Sequence, residues 1–218
     1  MISSANSVSD NEGRDIRRGA VVLCGGRSSR MGFDKATLPF GPELMLQRVV
    51  RLLSEVIDPA AIVIVSASGQ VLPQLPSAVK ITNDERPERG PLEGIAAGLR
   101  VISAEVDAAY VTSCDVPLLV PAFVMRMFAC LEDYEIAVPC DGPYQHPLTA
   151  VYRPRVLAAV LNLLAADRLR MRDLFQLVKT NEVAVESLRA FDAMLATLIN
   201  VNCPEDYKSA LATAGFSQ

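Results

Sequence analysis

Apolar positions along the chain follow two rhythms. Continuous runs at 20–24 (AVVLC), 62–66 (IVIVS) and 108–113 (AAYVTS) are short and lack polar alternation, which predicts strands buried on both faces. A shorter run at 79–82 (VKIT) and further ones at 135–139 and 148–152 extend the set. Between them Leu44, Leu46, Val49, Val50, Leu52, Leu53 and Val56 recur at helical spacing. The same spacing predicts helices over 90–103, 120–131, 155–165, 171–178 and 205–214. Strands alternating with helices imply an α/β fold: a three-layer, Rossmann-like domain with a mainly parallel sheet and helices on both faces.

Residues 1–18 stand outside this rhythm. They are rich in Ser, Asn and Asp with mixed charge, which predicts a disordered leader to a single domain over 19–218. At 218 residues, 50% of them apolar, the chain can bury roughly 70% of its unfolded surface without a metal or disulfide staple. The net charge of −4 argues against a general nucleic-acid or anionic-membrane binder. No apolar stretch near the start reads as a secretory signal, and no uncharged run is long enough for a membrane span. The expected location is the cytoplasm. The five cysteines are scattered and there is one histidine, His146, so a zinc finger or His-rich metal site is not expected. Most of the thiols read as small buried apolar residues in a reducing compartment.

Ligands of open α/β sheets bind at the carboxyl ends of the parallel strands, so the residues following each apolar run are the ones to inspect. The first run opens into Leu23-Cys24-Gly25-Gly26-Arg27-Ser28-Ser29-Arg30-Met31-Gly32-Phe33-Asp34-Lys35. Glycines let backbone approach a ligand, while hydroxyls, amides and cations satisfy phosphate oxygens. The spacing is neither a Walker loop nor G-x-G-x-x-G. The blander reading of Arg30 and Lys35 is solvated surface charge, with Lys35 paired to Asp34. Asp115 follows a buried strand and precedes Pro117, which suits a Mg²⁺ held against phosphates, or else a turn cap. Asp84 ends VKIT and offers a carboxylate to a base, a ribose or the metal. Gly90-Pro91-Leu92 opens a helix whose amides can face a ligand, or is simply a breaker followed by a first-turn proline. His146 is a loop polar group or a ligand contact. Asn200 and Asn202 precede Pro204-Glu205-Asp206, where Asn202 also reads as a helix cap.

The 23–35 segment closely resembles the signature L-A-G-G-x-S-x-R-M-G-x-D-K of the molybdenum cofactor guanylyltransferases, with Cys24 in place of the usual alanine. Asp84 with Gly90-Pro91-Leu92-Glu93-Gly94 resembles that family's D…G-P-L-x-G. Cys114-Asp115-Val116-Pro117 resembles its C-D-x-P, Asp141-Gly142 with His146-Pro147 its D-G…H-P, and Asn200-Val201-Asn202 its N-x-N. The likeness spans roughly 20–207. It implies a nucleotidyltransferase that moves GMP from GTP to molybdenum-loaded molybdopterin and releases pyrophosphate. It implies nucleotide contacts at Leu23, Cys24, Gly25, Gly26, Lys35, Ser66, Asp84, Gly90, Pro91, Leu92 and Asp115, with Mg²⁺ on Asp115. Ser66 stands where the family often has asparagine. The pterin side falls to His146, Asn200 and Asn202. The catalytic set is Arg30, Lys35 and Asp115. The implied partners are GTP and molybdopterin, together with other proteins of molybdenum cofactor biosynthesis. Alternatives are a molybdopterin cytidylyltransferase, a sugar-phosphate nucleotidylyltransferase, or a non-catalytic nucleotide-binding regulator.

Overall fold

The computed structural model describes residues 16–25, 34–84, 86 and 89–216. The continuous apolar runs form the middle of one sheet. Its strands are β1 (Arg18–Leu23), β4 (Ile62–Ser66), β5 (Lys80–Asn83), β6 (Ala108–Ser113), β7 (Ile136–Asp141), β8 (Tyr144–Gln145), β9 (Ala150–Tyr152) and β10 (Thr180–Ala184). A separate small hairpin joins β2 (Pro39–Phe40) to β3 (Glu43–Leu44). The main sheet runs β10-β7-β9-β6-β1-β4-β5, with β8 on β7. All of these pairings are parallel except those of β8 and β9, so the sheet is mainly parallel.

Alternate side chains of each central strand enter opposite cores. Ala20 and Val22 face one helical layer, α1 (Met45–Ser54) and α3 (Pro121–Ala129). Val21 faces the other, α2 (Pro91–Ile102), α4 (Leu157–Ala165) and α5 (Met171–Leu177). Strands buried on both faces need no polar alternation, which is why their sequences read as unbroken apolar runs. α2 lies close on β1: a Cβ added at Gly98 would sit 2.3 Å from Val21 Cγ1, and one at Gly94 would sit 2.9 Å from Leu23 Cδ2. A third apolar cluster, with Phe40, Met45, Leu118 and Val201, packs against α6 (Pro204–Thr213).

The chain builds outward from β1 to β4 and β5, then returns through α2 to place β6 on the other side of β1. The reversal of strand order therefore falls between β1 and β6, where a crevice opens at the carboxyl edge.

Several details depart from the expectations above. Residue Arg18 belongs to β1 and Arg17 pairs with Asp107 across 2.9 Å, so these two residues join the domain rather than the leader; residues 1–15 lie outside the described ones. The strand expected over 148–152 is shortened, because Pro147–Thr149 forms a 3-10 turn first. β10, β8 and the β2–β3 hairpin have no counterpart among the expected elements. β10 is a mostly exposed edge strand in which Val183 alone is buried, so it carries no apolar run.

Candidate active site

The two strands flanking the crevice continue one residue past their ends. The Cys24 amide donates to Val65 O at 2.8 Å and the Cys114 amide to Leu23 O at 3.0 Å. Gly25 and Asp115 thus emerge side by side. Asp34 then caps a 3-10 turn, Lys35–Thr37, by accepting from the Ala36 amide at 3.0 Å. From that turn Lys35 reaches back, placing Nζ 2.8 Å from Asp115 Oδ2 and 2.9 Å from Asn202 Oδ1. Lys35 pairs with Asp115, not with its neighbour Asp34.

Asp115 is held from three further directions. Asn200 Nδ2 donates to its Oδ1 at 3.0 Å, and the Ser113 hydroxyl donates to the same oxygen. Its carbonyl accepts from the Val201 amide at 2.8 Å. That last bond draws the 200–202 segment alongside Asp115 in extended register. Val201 enters the third core cluster, and the residues on either side, Asn200 and Asn202, turn the other way into the crevice. Cys203, not Asn202, is the N-cap residue of α6; the Asn202 and Cys203 amides donate to Asp206 at 2.9 and 3.1 Å. Lys35 and Asp115 keep 17% and 13% of their side-chain surface exposed, so the pair is reachable but mostly screened from water.

On the β4–β5 side, Ser66 is buried and its hydroxyl accepts from Asn83 Nδ2 at 2.9 Å. Asp84 follows, with Oδ2 only 3.3 Å from where a Cβ on Gly25 would lie. Burial, followed by the charge of Glu93, pushes the Asp84 carboxyl above its usual range. Gly90 takes φ +71° ahead of Pro91, a turn that a Cβ would strain. Leu92 is fully buried and Leu23 packs partly buried on the same core, so what these residues offer a ligand is backbone. Gly26 and Arg30 lie outside the described residues.

His146 opens the 3-10 turn before β9; its amide donates to Pro139 O at 2.9 Å. Because β9 runs antiparallel to β6, with Ala150 opposite Val111, residues just before it stand toward the carboxyl edge of β6. His146 therefore stands toward the carboxyl edge of the sheet, on the β7–β9 side. Burial lowers its pKa and so favours the neutral ring, with the charge of Asp141 opposing the shift.

Three participants escaped sequence reasoning. Gln70 and Asn83 are turn and strand-end amides with no pattern to mark them. Glu93 is 2% exposed on the first turn of α2, with Arg86 and Arg89 at 3.7 and 3.8 Å. An acid inside the apolar stretch PLEGIAAGL was the available signal.

Chemically, the described residues bring to the crevice the Asp115 carboxylate, the Lys35 ammonium, the Asn200 and Asn202 carboxamides and, beside the Gly25 backbone, the Asp84 carboxylate. Cys24 is no nucleophile: its hydrogen bond with Cys114, followed by burial, holds the thiol well above its usual range. Among the described residues no group of three or more His, Cys, Asp and Glu is placed to cage a metal ion. These residues gather at the switch point of a mainly parallel α/β sheet, the fold of the nucleotidyltransferases. The chain belongs to the family of the MobA-like NTP transferase domain, whose model matches residues 20–184.

It is 37% identical over 194 residues to a probable molybdenum cofactor guanylyltransferase of Pelotomaculum thermopropionicum, covering 89% of this chain and 92% of that one. Among solved structures it is similar to molybdopterin-guanine dinucleotide biosynthesis protein A from Archaeoglobus fulgidus, with TM-score 0.74 and 21% identity over 91% of this chain and 98% of that one. It also shares its fold with a Mycobacterium tuberculosis H37Rv protein solved as a complex with manganese, with TM-score 0.58 and 17% identity over 90% and 99% of the two chains.

Proposed function

We propose that the protein transfers GMP from GTP to the terminal phosphate of molybdenum-loaded molybdopterin. An oxygen of that phosphate bonds to the α-phosphorus of GTP, the α–β phosphoanhydride bond breaks, and pyrophosphate leaves with the bonding pair. The observation that carries this reading is the convergence of Lys35, Asp115, Asn200 and Asn202 on the crevice edge beside the Cys24–Gly25 turn. The relative named as a probable molybdenum cofactor guanylyltransferase supports the choice of nucleotide and acceptor.

The attacking phosphate oxygen is already anionic, so no general base is needed, and no His, Ser or Cys is assigned one. The work is screening of repulsion and in-line alignment. The Gly25–Lys35 loop takes the triphosphate, with Arg30 and Lys35 facing the charge that grows on the leaving pyrophosphate. Ser66, Asp84 and the Gly90-Pro91-Leu92 backbone take the nucleoside. His146, Asn200 and Asn202 take the pterin side.

A divalent cation fits the donor set. Asp115, which belongs to no group of three or more His, Cys, Asp and Glu among the described residues, suits Mg²⁺, which binds through one or two carboxylates plus substrate phosphates and water. When bound, it would neutralise phosphate charge and orient the triphosphate. Asn200 and Ser113 fix, through Oδ1, the Asp115 carboxylate that would hold it.

Pyrophosphate release with GTP, CTP, ATP and UTP in turn, in the presence of the pterin acceptor, tests the reading. GTP is expected to exceed CTP by more than tenfold, about 1.4 kcal/mol of differential binding. Equal use of GTP and CTP would remove the guanylyl assignment.

A further inference from the structure

The turn after β4 closes on itself. The Gln70 amide donates to Ala67 O at 3.1 Å, and Gly69 between them takes φ +76°, a conformation that suits glycine. The side chain of Gln70 then folds back over the turn, where Oε1 accepts from the Ala67 amide at 3.0 Å. This fixes the carboxamide and aims Nε2 outward, towards β1. There Nε2 donates to Asp34 Oδ2 at 2.8 Å, to Asp34 Oδ1 at 3.0 Å and to Cys24 O at 3.3 Å.

Cys24 and Asp34 are the residues on either side of the glycine-rich loop. One amide group therefore ties both ends of that loop to a third, rigid point, the exit of β4. Its acceptor and both of its N–H donors are engaged. Asp34 also caps the turn from which Lys35 departs, so the same bonds fix the root of the lysine that reaches Asp115.

We propose that Gln70 is a positioning residue for nucleotide transfer: its carboxamide staples the two ends of the phosphate loop together and sets the take-off point of Lys35. The inference rests on the nucleotide-transfer reading above. Fixing Cys24 and Asp34 in advance lowers the conformational entropy that those residues must lose on binding a triphosphate. That cost falls on binding, so the effect is on nucleotide affinity more than on the bound-state rate.

Two variants separate a directional staple from simple space-filling. Gln70→Ala removes the contacts. Gln70→Glu keeps the shape and the bond from the Ala67 amide but turns a carboxylate onto Asp34. Gln70→Glu is expected to raise KM for GTP, and the Kd of a fluorescent GTP analogue, by about tenfold or more, with a larger effect than Gln70→Ala. kcat at saturating GTP should change less than KM. Adding Asp34→Asn to Gln70→Glu restores a donor–acceptor pair with reversed polarity. The introduced asparagine can still accept from the Ala36 amide through Oδ1, while its Nδ2 donates to the introduced carboxylate across the loop. That double variant should recover part of the lost affinity through the Asp34 arm, the bond to Cys24 O remaining unmade.

Amide hydrogen exchange at Ala36 and Ala67, read without nucleotide, supplies a second arm. Exchange at Ala36 should quicken in Gln70→Glu and slow again in the double variant. If Gln70→Glu binds GTP as tightly as the parent protein, or better than Gln70→Ala, shape alone suffices and the staple is wrong. An absence of rescue by Asp34→Asn in both affinity and exchange also overturns it. Should the parent protein bind no GTP at all, the nucleotide-transfer reading fails, and the exchange arm still decides whether Gln70 fixes the loop ends.

Discussion

Lys35 Nζ stands 2.8 Å from Asp115 Oδ2, so the cation assigned to the triphosphate in the proposed reaction sits on the carboxylate assigned to the metal. The two charges neutralise each other. On the proposed reading, a triphosphate would draw the ammonium away and leave Asp115 to a divalent cation. Nucleotide and metal are thereby expected to bind together, with neither tight alone.

Lys35→Ala tests both halves of that relation. Removing the ammonium leaves Asp115 open, so Mn²⁺ affinity of the nucleotide-free protein should rise, as read by the loss of the free-ion electron paramagnetic resonance signal. Turnover should fall roughly 10²-fold or more, because a cation facing the leaving pyrophosphate is worth more in the transition state than in the ground state. GTP affinity, measured by calorimetry, should weaken by a smaller factor. An unchanged kcat would reduce Lys35 to an ion-pair partner.

Asp115→Asn keeps the shape of the side chain and the backbone bond to Val201, so the variant should fold with a melting temperature close to that of the parent protein. It should lose most turnover at limiting Mg²⁺. Parent-like activity across a Mg²⁺ titration would take Asp115 out of the reaction.

His146 is the one histidine in the chain, so a single imidazole resonance follows it in a proton NMR titration. Burial penalises the charged ring, and the midpoint should lie below the ordinary value of 6.5. The unfolded chain then binds the proton more readily than the folded one. Stability should therefore fall as pH drops below about 6.5 towards the folded-state midpoint, and be unaffected by His146 above it. His146→Gln should flatten that acid-side loss, as followed by urea unfolding at several pH values.

Gly98→Ala probes the seat of α2. A new Cβ would press to 2.3 Å from Val21 Cγ1. Overpacking of this kind costs about 1–3 kcal/mol, against a gain in helix propensity of up to ~1 kcal/mol. The net result should be a lower urea midpoint with little change in m value. A midpoint at or above that of the parent protein would mean that α2 can lift off β1 without penalty.

The central strands and the six α-helices of the described residues were legible because both faces of each strand, or one stripe of each helix, bury apolar side chains. Where burial stops, so does the signal. β10 lies at an edge with polar side chains exposed, and the β2–β3 hairpin is two residues per strand. Within the site, Asp115 could be picked out because an acid ends an apolar strand and precedes a turn proline. Its pairing with Lys35 could not, since the two residues are 80 positions apart and meet only through strand order. Asn200 and Asn202 were visible as a pair, but their convergence on Asp115 and Lys35 follows from the Val201 backbone bond, which no local pattern encodes. Gln70 and Asn83 act through single carboxamides in ordinary turn and strand-end sequences, and amides there are common for reasons unrelated to ligands.

The most direct test of guanylyl transfer is to incubate the protein with Mg²⁺, molybdenum-loaded molybdopterin and GTP labelled at the α-phosphate. The label should appear in a molybdopterin guanine dinucleotide, with one pyrophosphate released per dinucleotide formed and most of the transfer lost in Asp115→Asn. GTP left intact, or pyrophosphate released with the label remaining in free GMP, would contradict it.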